Sequence, residues 1–134
     1  MLTPPASDST RTARIAVDGI IRAVFFPGAE VGLADAVENI ALTGRLTQGR
    51  RLPAMIDLRA VRSQSADARA YLAGPDADAV SSAVALVVSS PLSRMVGNFY
   101  LGFNRPNVPT RLFNDEVAAV AWLRDFANAG AHGG

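Results

Sequence analysis

The segment from Ala83 to Val88 is an uninterrupted apolar run in this 134-residue chain, and it constrains the fold more than any other feature. It has the length of a β-strand and is far shorter than the roughly 20 apolar residues that cross a membrane. A strand without polar alternation has both faces covered, as in the centre of a parallel sheet. Because helices cover such a sheet, the run predicts an α/β fold.

Strand and helix patterns alternate along the rest of the chain. Two runs rich in β-branched residues, Ala13–Val17 and Ile20–Phe26, flank Asp18-Gly19, which is a strong hairpin signal. Further strands are predicted at Leu52–Leu58, Ser82–Val88 and Thr110–Phe113, and helices at Val31–Gln48, at Ser65–Ala73, after Ser90-Pro91 and after Asn114. This order predicts an α/β domain with a mixed β-sheet of about five strands, a leading β-hairpin and about four packed helices.

The two ends of the chain depart from this alternation. Residues Met1–Thr12 are polar and contain prolines, and Asn128–Gly134 are rich in glycine, so we expect a flexible arm and a flexible tail around a domain at 13–127. The arm lacks the apolar core of a signal peptide. Without such a segment or a membrane-length run, the sequence predicts a cytoplasmic protein.

Helical spacing predicts which helix faces are buried. The first helix carries an apolar stripe that we expect to face the core: Leu33, Val37, Ile40 and Ala41. In the last helix, Asn114 is the expected N-cap, with Asp115 and Glu116 in the positive first turn.

The helix predicted after Ser90-Pro91 carries an aromatic stripe of Phe99, Tyr100 and Phe103. The simplest interpretation is that these rings belong to the core. Because the helix is apolar on most sides, the same stripe could instead form a dimer interface or line a pocket for a small apolar ligand.

The polar composition excludes several classes of chemistry. There is no cysteine, which excludes disulfides, thiolate metal sites and cysteine nucleophiles. All thirteen basic residues are arginine, so there is no lysine for a Schiff base or a phosphate-binding loop. The net charge of +1 is too small to attract nucleic acid or anionic lipid through overall electrostatics. Arg50-Arg51 could touch nucleic acid or a partner, but a solvated loop is the better explanation because the surrounding charge is balanced, so we expect no nucleic-acid partner.

A search for catalytic residues finds no recognisable constellation. The single histidine, His132, lies in the glycine-rich tail, so neither a Ser-His-Asp triad nor a histidine metal cluster can be assembled. The carboxylate pairs Asp76/Asp78 and Asp115/Glu116 fit a turn and a helix N-terminus. With no nucleotide-binding loop either, the sequence predicts a protein that is not an enzyme and holds no metal or cofactor.

Several segments resemble the SpoIIAA-like branch of the STAS domains, the bacterial anti-sigma-factor antagonists. They are Ala54–Val61 with its Asp57-Leu58-Arg59, Ala68–Tyr71, Ser89–Arg94, Pro109–Phe113 and Ala121–Leu123. The similarity covers about Leu52 to Phe126 and implies a non-enzymatic regulatory module. The implied partner is a protein such as a kinase-like or sigma-factor regulator, or a second copy of the chain.

One stretch departs from the classical members of that family. Phosphorylated STAS proteins carry an Asp-Ser-Ser-Gly-like signature before the helix, where this chain has Ser63–Ala68 without it. Ser63 and Ser65 are therefore displaced candidates for phosphorylation. SpoIIAA-like proteins also resemble lipid-binding Sec14-type domains in outline, so the alternative function is a carrier or sensor of a small hydrophobic or anionic ligand.

Ligands of parallel sheets tend to bind where the strands end, because helix N-termini point there. The residues expected at this edge are Arg59, Arg62, Ser63, Ser65, Ser89, Ser90, Ser93 and Arg94. Hydroxyls, backbone N–H groups and guanidinium groups suit a phosphate, a carboxylate or a partner protein. The alternative is that the serines cap helices and the arginines are solvated. The nearby Asp115 and Glu116 weaken the anion-binding interpretation.

Overall fold

A computed structural model describes residues 6–89, 91 and 108–132, and shows a mixed sheet of six strands. The strands lie in the order β1-β2-β3-β5-β7-β8. β2 is antiparallel to both of its neighbours, β1 and β3, whereas β3, β5, β7 and β8 are parallel. Their bounds are β1 (Ala6–Ser9), β2 (Ala13–Val17), β3 (Ile21–Phe25), β5 (Leu52–Asp57), β7 (Ser81–Val87) and β8 (Thr110–Phe113). A separate parallel pair joins β4 (Ala29–Val31) to β6 (Val61–Gln64).

The β2–β3 hairpin forms at the predicted place. Gly19 closes it with a φ of 97°, a left-handed conformation that glycine adopts without a Cβ clash. The hairpin register pairs Ala13 with Phe25 and Val17 with Ile21. The central position of β7, between β5 and β8, confirms the interpretation of the continuous apolar run.

The helices are α1 (Leu33–Thr47), α2 (Ala66–Leu72), α3 (Pro75–Asp78) and α4 (Glu116–His132). On one face of the sheet Leu42 of α1 packs with Ala54 of β5. On the other face Leu123 of α4 packs with Met55, the next residue of β5. Since successive strand residues point to opposite faces, α1 and α4 sandwich the sheet.

The chain ends differ from the sequence prediction. Ala6–Ser9, expected in a flexible arm, forms an edge strand that pairs with β2, and Thr12 is buried. The last helix continues to His132, into the segment expected to be a tail. The prediction failed at the N-terminus because Ala6–Ser9 is polar, and its strand is held by backbone pairing.

The predicted buried face of α1 is wrong at three of its four positions, whereas Ile40 is half-buried. Leu33 and Val37 are 45% and 42% exposed, and Ala41 is exposed as well. The buried positions instead include a polar stripe at four-residue spacing: Asp35, Asn39, Thr43 and Thr47. Apolar spacing could not show this, because hydrogen bonds from a distant segment set which side of the helix faces inward.

That distant segment is the connection between β1 and β2. Thr10 Oγ1 donates to Asn39 Oδ1 at 2.5 Å, and Asn39 Nδ2 donates to Thr12 Oγ1 at 3.1 Å. Arg11 donates through Nε to Asp35 Oδ1 at 3.1 Å, and its Nη2 pairs with Oδ2. Asp35 also accepts from the Gly32 backbone at 3.0 Å. Buried polar groups need such partners, so this network fixes the rotation of α1.

Two further details correct the sequence prediction. The stretch between Arg59 and Ser65, expected as a loop, contains strand β6. The cap of α4 is Asp115 rather than Asn114, because Asp115 Oδ1 accepts from the Ala118 backbone N–H at 2.8 Å. The helix predicted after Ser90-Pro91 lies outside the described residues.

Candidate functional site

The four parallel strands end at one edge of the sheet, and the polar residues of the predicted site collect there. Asp57 lies beside Val87 in the register of β5 and β7, and Val87 lies beside Phe113 of β8. The segments that follow these strands therefore share one surface, as expected for a parallel sheet. We call this surface the rim and define it by Asp57, Arg59, Arg62, Ser63, Ser65, Ser89, Asp115 and Glu116.

A bidentate ion pair between Asp57 and Arg59 stands at the centre of the rim. Arg59 Nε donates to Asp57 Oδ1 at 3.0 Å, and Nη2 donates to Oδ2 at 2.7 Å. The Arg59 backbone N–H donates to Oδ1 at 3.0 Å as well. The intervening Leu58 is anchored by its N–H, which donates to the Val87 carbonyl at 2.9 Å. This turn places Asp57 below Arg59, with side chains 11% and 40% exposed.

The pair shifts the titration of both groups. Burial raises the pKa of the Asp57 carboxyl, but the hydrogen bonds and charge of Arg59 outweigh burial and hold that pKa below its ordinary value. The hydrogen bonds and charge of Asp57, followed by the charges of Glu116 and Asp115, raise the pKa of Arg59. Both groups are therefore charged at neutral pH.

Acidic groups surround Arg59 at the rim. Asp57, Asp115 and Glu116 all act on its charge. Glu116 also pairs with Arg22 of β3 at 3.4 Å. These carboxylates compete with any added anion for the guanidinium, so the arrangement suits a partner with side chains of both signs better than a free phosphate.

The two candidate serines occupy different settings. Ser65 is the N-cap of α2, where its Oγ accepts from the Ala68 backbone N–H at 3.1 Å. Ser63 is exposed on β6, next to the exposed Arg62, and its register partner on β4 is Glu30. Ser89 is exposed at the end of β7. The other predicted positions lie outside the described residues: Ser90, Ser93, Arg94, Phe99, Tyr100 and Phe103.

Asp57-Leu58-Arg59 is part of the family resemblance in the sequence, but its ion pair was not predicted. An acid and an arginine two residues apart at the end of a buried strand were the available signal. The ion pair between Arg22 and Glu116 could not be predicted from local sequence. Arg22 lies on β3, far from Glu116 in the chain, and only the folded structure brings the two together.

A small cavity lies between the sheet and the layer of α1, α2 and α3. Its volume is about 80 Å³. The lining is mainly apolar, with Ile15, Ile56 and Leu86 from the sheet and Ile40 and Leu72 from the helices. Pockets for drug-sized ligands are about 300–1,000 Å³, so this cavity is too small for a lipid as it stands.

Residues 6–89, 91 and 108–132 contain no group of three or more acidic or histidine side chains that could hold a metal ion. No helix within the same ranges is both long enough and apolar enough to cross a membrane.

The amino-acid sequence identifies the family of this chain. Residues 14–127 match the family described as domain of unknown function DUF7793. The chain belongs to the DUF7793 family. No curated protein matches its sequence.

One solved structure shows the fold of this DUF7793 member. An uncharacterised protein from Shewanella loihica PV-4, of the DUF3478 family with a SpoIIAA-like fold, superposes with a TM-score of 0.55. The match covers 90% of this chain and 92% of that chain at 18% identity. A protein of unknown function from Arthrobacter sp. FB24 is 31% identical over 80% of this chain and 93% of that one, with a TM-score of 0.30. The fold is SpoIIAA-like, which confirms the resemblance found in the sequence.

Proposed function

We propose that this protein is a regulatory module that binds a protein partner through the rim and performs no chemical turnover. The observation that carries the proposal is the Asp57–Arg59 ion pair. It holds an arginine in one orientation while leaving its side chain 40% exposed. Arginine is enriched among the residues that dominate protein interfaces, and an ordered side chain loses less entropy on binding.

The charges of the rim indicate the chemistry of the partner. Arg59 and Arg62 offer positive groups, and Asp115 and Glu116 offer negative groups on the same edge. A partner surface with both signs of charge would match this pattern, which favours specificity over simple attraction. A kinase-like protein or a sigma-factor regulator is the class of partner implied by the SpoIIAA-like fold.

Phosphorylation of Ser63 is the regulation that best fits the geometry. A phosphate adds about −1.5 to −2 charges. On Ser63 it would repel Glu30 across the β4–β6 pair and attract the neighbouring Arg62. Ser65 is the less suitable acceptor, because its hydroxyl already caps α2.

The partner-binding proposal is tested by affinity capture from cells that produce the protein. The bait variant is Arg62→Glu, since Arg62 is exposed and its reversal should not disturb folding. Arg14→Glu, an exposed position on β2, is the matched control. A partner retained by the wild type and the control but lost with Arg62→Glu supports the proposal. Equal retention of every captured protein by both variants contradicts it.

Phosphorylation has its own test. The purified protein is incubated with a candidate kinase and ATP, and its intact mass is measured. A phosphate-sized increase that disappears in Ser63→Ala and persists in Ser65→Ala supports the switch. An increase that depends on Ser65 alone, or no increase with any kinase that binds the rim, contradicts it.

The alternative function is a carrier or sensor of a small ligand, and the apolar cavity is the observation that favours it. At about 80 Å³ it has roughly half the volume of cavities that accept benzene. A lipid would require α1 and α2 to move apart. Native mass spectrometry of freshly purified protein distinguishes the two functions. A reproducible bound mass of a few hundred daltons would favour the carrier, and a ligand-free protein would favour the partner-binding module.

A further inference from the structure

The outer face of α1 is an apolar surface that the described residues, 6–89, 91 and 108–132, leave exposed. Leu33 and Val37 are 45% and 42% exposed. Ala34 and Ala41 are exposed on the same side of the helix. Contiguous apolar positions on one helix face differ from the scattered single residues that any protein surface carries.

This exposure is built into the structure. The opposite side of α1 is held by Asp35 and Asn39, which bond to Arg11, Thr10 and Thr12. Rotating the helix to bury Val37 would break these bonds and leave buried polar groups without partners. These hydrogen bonds therefore hold the apolar face of α1 outward.

Two charged side chains flank the apolar face, and they lie two helical turns apart. Glu38 and Arg45 are both exposed, on either side of Ala41 along the helix. Within the part of the chain that the structure describes, neither side chain makes an ion pair. They are seven residues apart, about 10 Å along the axis, which exceeds the three- or four-residue spacing of ion pairs within a helix.

We infer that α1 pairs with α1 of a second copy of this chain, antiparallel and around a two-fold axis beside Ala41. In a two-fold interface, each contact between two residues occurs twice. An axis at this level places Glu38 of one copy opposite Arg45 of the other, and Arg45 opposite Glu38. The acid and the base that cannot pair within one helix then pair between two.

The residues between these pairs fit close helix packing. Ala34 and Ala41 present only methyl groups, which allows the two helix axes to approach to the 8–10 Å typical of packed helices. Val37 and Leu33 then supply apolar area to the contact. This surface shares no residue with the rim, so a dimer and a rim-bound partner are compatible, and each proposal can fail without the other.

The inference is tested by sedimentation velocity over a range of protein concentrations. The wild type is compared with variants in which the charge of Glu38 or Arg45 is reversed. We expect a dimer of the wild type. Glu38→Arg and Arg45→Glu should each raise the dissociation constant about tenfold or more, because each reversal turns two attractions into two repulsions. The double variant should dimerise like the wild type.

A mixture of the two single variants provides the sharpest measurement. One chain then has two positive groups and the other two negative groups at this face, so the mixture should form a heterodimer while each variant alone stays monomeric. Reversal of Arg124 and Asp125, exposed on α4, is the matched control and should change nothing. Three results would each overturn the inference. The wild type could remain monomeric at all concentrations, the dimer could be unaffected by reversal of Glu38 and Arg45, or the mixture of variants could stay monomeric.

Discussion

Asn39 of α1 donates a hydrogen bond to the hydroxyl of Thr12 at 3.1 Å, and both residues are buried. They lie 27 residues apart, so the contact ties the start of β2 to the middle of the first helix. A second bond from Thr10 reaches the same amide. This buried polar contact, rather than apolar burial, determines how α1 sits on the sheet.

Asn39→Ala should lower the free energy of unfolding by about 1–3 kcal/mol, because it leaves the Thr12 hydroxyl buried without its donor. Urea denaturation followed by circular dichroism measures the loss. Val117→Ala, at an 81%-exposed position on α4, is the control and should cost no more than about 0.5 kcal/mol. Equal losses in the two variants would show that the polar network does not hold the helix.

The Asp57–Arg59 pair should make stability depend on pH on the acid side. The pKa of Asp57 is lower in the folded protein than its ordinary value of about 3.9. The pair's contribution is therefore complete above the unfolded pKa and is lost as the pH falls through the folded pKa. Between pH 5 and pH 2, the unfolding free energy of the wild type should fall more steeply than that of Asp57→Asn.

The control for this pH series is Asp125→Asn, which removes a carboxylate from an exposed position on α4. Its acid profile should match the wild type. If Asp57→Asn and the wild type show the same slope, the pair does not contribute to stability as described. Asp35 should add a separate contribution of the same sign, since hydrogen bonds from Gly32 and Arg11 outweigh burial and lower its pKa.

Ser65→Ala should destabilise the protein by about 1 kcal/mol, because Ser65 caps α2 through the Ala68 N–H. Ser63→Ala, two residues earlier on exposed β6, should leave the melting temperature unchanged within about 1 °C. Differential scanning calorimetry compares the two. The reverse order of effects would contradict the assignment of the cap, and with it the argument that Ser63 is the more accessible phosphate acceptor.

Asp115→Ala should cost about 0.5–2 kcal/mol, since its carboxylate accepts from the Ala118 N–H in the first turn of α4. Asp115→Asn keeps an acceptor at the same place and should recover most of that loss. Thermal denaturation measures both variants. A loss that is equally large in Asp115→Asn would indicate that charge, rather than the cap hydrogen bond, is the source of the stabilisation.

The local sequence was sufficient to predict those elements whose conformation is determined by a few adjacent residues. The hairpin follows from Asp18-Gly19, because a left-handed turn residue must be one that tolerates positive φ. The central strand β7 follows from Ala83–Val88, because a strand covered on both faces must be apolar at every position. The N-cap role of Ser65 also follows from its place before a helical pattern.

The tertiary structure decided what depends on residues far apart in the chain. β1 is polar and becomes a strand only because β2 offers its backbone groups. The rotation of α1 depends on Thr10 and Thr12, which no periodicity within the helix can report. At the rim, the sequence placed Arg59 beside the strand end, but its acidic surroundings come from α4, and only the parallel sheet brings them together. Apolar burial alone would have turned Val37 inward; the cost of leaving buried hydrogen-bonding groups without partners kept it outside.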